Sequence, residues 1–491
     1  MTISSVVYNP MNGRLTTAGV VPGFSYDDAM AQDGSNHWCV TENNRNNARN
    51  VNFNNGNANN NNKYNSNVVR PLAAFLDYIV PKDFLDSVWE AYYDCLRGKR
   101  RSEQAIEYMQ IAAVDIPRLA MELWLGIYQP GTSTCFLVKY PKWREVFAAN
   151  FRDRIVHHWI CLRLEPLFEY RFHQQGDRSF NCRKGFGTDA AVFHLAEAMR
   201  SISDNYHRPA WVFRGDIVSF FMSIDKELLW YLLDRFMRRW RFREAHFGWE
   251  HYGLAGQPEM YWDILMPTVR TIVMHHPERD CVLNSPVEWW QHMDPNKSLF
   301  TSPTGEPIGN LTTQLFANFL MSFFVAYVLF LFRRKRFDIA QFVDDFAIVC
   351  DDLRFLVQAI PQIAAFLKNA LHLEMHSDKR YLQPVSHGVL FVGTYIKPGR
   401  LYLSNRTVGR MMERCTGYGR QLASDSTSEL DLQHIEQTVN SYMGFCRDRQ
   451  TYLFRLQAIS LMQEQFWQQF YVNGHYNSIR IRRKYRLIQK V

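Results

Sequence analysis

Cysteine is sparse in this chain of 491 residues, and its pattern excludes two common frameworks. Cys39, Cys95, Cys135, Cys161, Cys182, Cys281, Cys350, Cys415 and Cys446 form no Cys-x-x-Cys pair and keep no regular spacing. That argues against a zinc site or a disulfide scaffold and fits reduced thiols in a cytoplasm. The N-terminal run Met1 to Tyr8 lacks the charged and apolar regions of a secretory signal. The apolar run from Leu315 to Phe332, followed by Arg333-Arg334-Lys335-Arg336, imitates a spanning helix. Asn318 and Ser322 inside it favour a buried helix of a soluble fold, so no membrane is expected and the basic end becomes a candidate phosphate contact.

The composition is that of a globular protein. Hydrophobic residues make up 47%, and the length allows two or three subdomains. A net charge of +8 and an isoelectric point near 8.9 suit a phosphate-rich partner, because each neutralised phosphate releases counterions. A solvated basic face would show the same charge.

Chemistry concentrates at Gln341-Phe342-Val343-Asp344-Asp345-Phe346-Ala347-Ile348-Val349. Two adjacent carboxylates between short apolar runs suggest a hairpin whose tip carries like charges, an arrangement that divalent cations stabilise. A third carboxylate, Asp216, follows the strand-like Trp211-Val212-Phe213-Arg214-Gly215. Asp225 then caps an apolar-periodic helix bearing Leu228, Leu229, Leu232 and Leu233. Asp351 and Asp352 lie past the second strand and suggest an exposed turn.

Together with Thr304-Gly305-Glu306-Pro307-Ile308-Gly309-Asn310-Leu311-Thr312-Thr313-Gln314, these segments resemble a bacterial reverse transcriptase. The resemblance runs from about Pro71 to the C-terminus through ordered segments. Pro141 to Phe147 with Phe151 to Val156, and Ser179 to Thr188, are similar to the two fingers motifs. Asp216 to Ile224, Phe342 to Asp345 with Phe in place of the usual Tyr, Leu373 to Lys379 and Phe391 to Ile396 are similar to palm motifs. Ile308-Gly309 with Thr313-Gln314, where most members have Gln-Gly and Ser-Pro, points to the branch of diversity-generating retroelements and the defence-associated unknown groups near them. Lys397-Pro398-Gly399-Arg400 and Ser404-Asn405-Arg406-Thr407 point the same way.

The resemblance implies an α+β right-hand polymerase fold with fingers, a palm of antiparallel sheet plus helices, and a helical thumb. It also implies RNA-directed DNA synthesis on two magnesium ions, with manganese as the alternative. Asp216, Asp344, Asp345 and Lys379 form the implied catalytic set, Lys379 as proton donor to pyrophosphate, and Asp216, Ile217, Asp344 and Asp345 form the metal set. Arg144, Arg183 and Lys184 would contact the triphosphate, and Phe221, Ile308, Gly309 and Gln314 complete the nucleotide site. Phe221, five positions after Asp216, would lie beneath the ribose, with Phe220 pointing into the core if a strand alternates there. Ile308 stands where other members have glutamine, which predicts low fidelity.

The implied partners are an RNA template, a structured noncoding RNA, with DNA product, deoxynucleoside triphosphates, and either a second copy or an accessory protein. Phage defence is the favoured setting, because an asparagine-rich arm is joined directly to the polymerase. The alternatives are target diversification, untemplated or protein-primed synthesis, and an inactive RNA-binding scaffold.

The expected organisation is an asparagine-rich arm at 1–70, a helical extension at 71–130, fingers and palm at 131–399, and a helical thumb with a basic tail at 400–491. Asparagine dominates from Asn43 to Asn67 and cannot build a core. With Trp38, this stretch also resembles the variable segment of proteins that such retroelements diversify. The aromatic insertion at Trp249, Tyr252, Tyr261, Trp262, Trp289 and Trp290 is expected mainly in the core rather than as base-stacking platforms. The tail Arg480 to Arg486 mixes basic and aromatic residues and suits RNA. No nuclease domain is expected.

Overall fold

Short β-branched and aromatic runs form the strands. In chain order these are β1 (Val7–Asn9), β2 (Arg14–Thr16), β3 (Ser133–Val138), β4 (Arg144–Ala148), β5 (Trp211–Gly215), β6 (Cys281–Leu283), β7 (Phe337–Phe342), β8 (Asp345–Cys350), β9 (Tyr381–Pro384), β10 (Val389–Phe391), β11 (Thr394–Lys397), β12 (Arg400–Leu403), β13 (Phe470–Asn473) and β14 (Ser478–Ile481). A computed structural model describes residues 7–9, 14–16, 80–139, 142–424 and 428–485. The asparagine-rich arm, most of 1–79, Tyr140, Pro141, residues 425–427 and the tail beyond Tyr485 lie outside the described residues.

The chain is an α+β protein of two compact units that each collect separated stretches: 1–177, 218–327 and 366–373 in the first, and 178–217, 328–365 and 374–491 in the second. The first unit is mostly helical. Helices Lys82–Leu96, Glu103–Trp124, Phe151–Gln174, Lys226–Phe247 and Trp262–Met274 surround rings such as Phe168, Phe236 and Phe319, with the Phe168 and Phe319 centroids 4.6 Å apart. Its sheet, in the order β4-β3-β6, is mixed, with β3 antiparallel to β4 and parallel to β6. The other sheets among the described residues are antiparallel.

Helix Leu311–Phe332 is long and apolar enough to cross a membrane by length and composition, yet 83% of its most apolar window is buried. Ser322 inside it accepts from the fully buried Arg171 at 2.7 Å, so its polar groups face protein. In the aromatic insertion, Trp249 and Tyr252 pack on buried Trp240, and Trp262 is buried. Trp289 departs from the expectation at 38% exposed.

The second unit is built on the antiparallel sheet β7-β8-β5-β9. Helix Thr188–Ile202 covers one face, where Ala191, Val192 and Leu195 meet Val212, Ala340, Ala347 and Val349 in a single apolar cluster. Ala340 opposite Ala347 leaves room for a helix to approach closely. The sheet β10-β11-β12 follows, its last turn made by Gly399 at φ 67°.

Helices Asn405–Leu422, Glu429–Cys446, Tyr452–Ser460 and Gln463–Gln469 then build a separate core around Met411, Ile435, Val439, Met443 and Phe466. A helical bundle followed by a basic tail was expected here. The region ends instead in an antiparallel ribbon, β13 with β14, which places Ile479 and Ile481 in that core and leaves Arg480 half-exposed beside Glu436. The alternation of isoleucine and arginine is thus the period of a strand.

Candidate functional site: a carboxylate hairpin at the end of a β ladder

The pairing of β5 with β8 runs from Trp211 opposite Cys350 to Gly215 opposite Phe346. The next residue along each strand is an aspartate, so Asp216 and Asp345 lie side by side where the ladder ends, with Cα atoms about 5 Å apart by antiparallel geometry. The sheet alternates, which puts Arg214, Asp216 and Asp345 on the face that helix Thr188–Ile202 covers further along.

Phe346 points to the opposite face and lies across Gly215. A Cβ at position 215 would come 2.9 Å from its Cε1. Glycine is therefore the residue that lets the two strands close at this point.

Asp344 sits in the two-residue turn between Phe342 and Asp345, beside Val343 at φ 56°. Positive φ in a β-branched residue is a real outlier and costs about 1–3 kcal/mol. Two buried side chains hold it in place. Asn181 Oδ1 accepts from the Val343 amide at 3.0 Å, and Gln341 Nε2 donates to the Val343 carbonyl at 2.7 Å. Gln341 is itself fixed by main-chain bonds to Arg178 and Phe180.

Neither Asn181 nor Gln341 was singled out from sequence for this task, although both lie in segments that carry the resemblance. Asn181→Ala is expected to destabilise the second unit by about 1–3 kcal/mol, because the Val343 amide loses its acceptor. Chemical denaturation measures the loss, and Asn181→Asp, which keeps the acceptor, should restore most of it.

Each paired aspartate carries a cation. Arg214 Nη2 donates to Asp345 Oδ1 at 2.8 Å, and the Arg214 guanidinium also lies 5.8 Å from the Tyr381 ring. Lys379 Nζ donates to Asp216 Oδ2, and Asp216 is 6% exposed. The segment carrying Lys379 is docked on the same strand end: the His376 amide donates to the Asp216 carbonyl at 2.8 Å, and Ile217 bridges to Met375. Sequence reasoning named Lys379 but missed Arg214, whose signal was a lone cation two positions before Asp216 in an otherwise apolar strand.

The other predicted residues fall as follows. Arg144 is exposed on β4. Arg183 is 6% exposed, donates to the Ser179 carbonyl at 2.7 Å and lies 3.9 Å from the Phe186 ring centroid, so it is built into its own turn. Lys184 and Gln314 are exposed. Gly309, at φ 130°, lies close against β4, where a Cβ would be 3.0 Å from Val146 Cγ1.

Phe221 and Ile308 are half-buried on one cluster with Cys135, Phe147, Met222 and Leu299. The strand expected after Asp216 is instead the short helix Phe220–Ser223, entered through Ser219 at φ 45°. Phe220 is buried as foreseen, but by a helical turn rather than by strand alternation. Asp352 caps the next helix through the Phe355 amide and pairs with Lys335, a local role away from the ladder end.

Carboxylate oxygens are hard donors and suit magnesium in kind. Among the described residues, no three His, Cys, Asp or Glu side chains converge as a cluster that could hold a metal ion. The ladder supplies two neighbouring carboxylates, Asp216 and Asp345, and the turn places Asp344 next in the chain.

The fold and site thus define an α+β protein with a hairpin-borne acidic pair beside a strand-end aspartate. No family model matches the chain. Protein YkfC of Escherichia coli (strain K12) is similar at 23% identity over 294 residues, covering 57% of this chain and 71% of YkfC. Similar solved structures include telomerase from Candida albicans in complex with a fragment of telomeric RNA, at a TM-score of 0.38 and 10% identity over 70% of this chain. Apo telomerase from Candida tropicalis is similar at a TM-score of 0.40 and 12% identity over 70% of this chain. The chain spans 61% and 57% of the lengths of those two telomerase chains.

Proposed function

We propose that this protein is an RNA-directed DNA polymerase that copies a structured noncoding RNA into DNA in a phage-defence setting. The observation that carries the reading is the β5–β8 ladder, which sets Asp216 beside Asp345 with Asp344 in the adjoining turn. Asp216 and Asp345 at the ladder end, with Ile217 beside them, would hold magnesium, and Asp344 would have to join them from the turn, since the three carboxylates do not form a cluster. The metal, when bound, supplies charge that stabilises the attacking and leaving oxygens of a nucleotidyl transfer.

The chain's own groups do the rest. Arg214 would orient Asp345, and Lys379, which donates to Asp216 Oδ2, would give a proton to the leaving pyrophosphate. Arg144 and Lys184, both exposed, would contact phosphate oxygens, whereas Arg183 shapes the turn that carries Lys184. Incubating the purified chain with a primed RNA template, deoxynucleotides and magnesium tests the reading. Extension by the wild type and none by Asp216→Asn supports it, whereas extension that survives the substitution refutes it. An inactive wild type that still binds RNA would favour the scaffold.

Two further expectations concern the nucleotide. If Phe221 sits beneath the ribose, Phe221→Val should raise ribonucleotide incorporation by about 10- to 100-fold, the range open to a shape-based pocket. Competition between the two nucleotide types measures it, and unchanged discrimination removes the assignment. Ile308 offers no hydrogen bond to a nascent base pair, so sequencing of product DNA should show fewer errors for Ile308→Gln than for wild type. Equal error rates would end the low-fidelity expectation.

A further inference from the structure

A four-residue helix cannot satisfy its own carbonyls, and the turn Phe220–Ser223 is such a helix. The donors come from a distant segment of the same unit. Ser302 Oγ and Thr304 Oγ1 both donate to the Met222 carbonyl, at 2.8 and 2.9 Å. The Gly305 amide donates to the Ile224 carbonyl at 2.9 Å, and the Glu306 amide to the Phe221 carbonyl at 2.8 Å. Gly305, at φ 120°, permits this approach, since a Cβ would be 2.9 Å from the Met222 Cα.

The same segment is fastened to β4 at both ends. At its start, Glu145 of β4 accepts from Ser298 Oγ and from the Leu299 amide. At its end, the Ile308 carbonyl accepts from the Phe147 amide at 2.7 Å. Glu306, whose amide donates to the Phe221 carbonyl, is 2% exposed, its carboxyl pushed up to about 8 chiefly by burial. Residues 298–308 thus form a strap with two feet on β4 and its centre on the carbonyls that carry Phe221.

We propose that Ser302 and Thr304 are positioning residues for sugar discrimination, holding the Phe221 ring through the Met222 carbonyl. The inference rests on the reading above that Phe221 senses the ribose. The strap makes the placement of that ring depend on β4, the strand that bears Arg144. A shift of the turn would move the ring without removing it, and misplacements of about 1 Å at a reacting centre cost up to about 100-fold.

The test uses the full chain in single-nucleotide extension with deoxy- and ribonucleotides, comparing wild type, Thr304→Ser, Thr304→Val, Ser302→Ala/Thr304→Val and Phe221→Val, with thermal melting of each. Expected for the double variant is a fall of about tenfold in the preference for deoxynucleotide. The change should lie in a lowered KM for ribonucleotide, with the KM and kcat for deoxynucleotide held within about twofold, and Thr304→Ser should keep the wild-type preference. If the double variant does not fold, the Thr304→Val against Thr304→Ser comparison decides, and equal preference in those two overturns the proposal. Wild-type preference in a folded double variant, with Phe221→Val relaxed, also overturns it and leaves the Phe221 assignment standing. Unchanged preference in Phe221→Val removes that assignment and this proposal with it. Absence of synthesis by wild type removes the polymerase reading itself.

Discussion

Asp216→Asn should lower primer extension by on the order of 1000-fold while leaving the fold in place, since loss of a group that stabilises transition-state charge costs several kcal/mol and each 1.4 kcal/mol is tenfold. The substitution keeps the size of the side chain and a partner for Lys379, and the Asp216 carbonyl still accepts from His376. Its effect should therefore appear in kcat and not in the melting temperature. Asp345→Asn should be milder in activity and worse in stability, because it leaves the Arg214 guanidinium, 16% exposed, beside a neutral amide. Asp351→Asn, past the second strand, should change neither by more than about twofold, as is usual for surface positions. Single-turnover extension with circular dichroism of the three variants checks the set. Equal losses for Asp216→Asn and Asp351→Asn would show that the ladder end has no special chemistry.

How much of this was legible in the sequence depends on what kind of signal each element carries. The hairpin and its partner strand were readable because apolar β-branched runs bracket charged residues that a core would not keep without cause. The burial of Leu311–Phe332 was readable from Asn318 and Ser322, two polar residues that need protein partners. The turn at Phe220 was not readable, since a strand pattern runs straight through it and the break comes from one residue, Ser219, at positive φ. The ribbon β13–β14 was hidden because alternating isoleucine and arginine serves a strand and a basic tail equally well.

The partners of the site were the least visible. Arg214 and Asn181 act across 131 and 162 positions of sequence, and nothing local marks a buried amide as the brace of a distant turn. Ser302 and Thr304 resemble ordinary loop residues until the Met222 carbonyl is seen between them. Motif resemblance located the aspartates, and tertiary hydrogen bonding shows what holds them.

The tightest constraint on the site is steric, and its removal should have the second large effect. Phe346 is fully buried and crosses Gly215, so any side chain at 215 must displace the ring or part β5 from β8. Gly215→Ala is expected to cost about 1–3 kcal/mol as an overpacked core substitution, and Gly215→Val more. Phe346→Ala alone should cost about 3–5 kcal/mol through the cavity it leaves. In Gly215→Ala/Phe346→Ala the clash disappears and the new methyl enters the vacated space. The double variant should therefore be less destabilised than the sum of the singles by more than about 1 kcal/mol, the range of coupling seen between residues in contact.

Activity should track the register of the ladder. Gly215→Ala should lose extension out of proportion to its stability, because parting the strands separates Asp216 from Asp345. The double variant should recover part of that loss while remaining less stable than wild type. Chemical denaturation and single-turnover extension of the four proteins measure both effects. Strict additivity in stability, or full activity in Gly215→Ala, would mean that the strand contact at Gly215 does not set the spacing of the two aspartates.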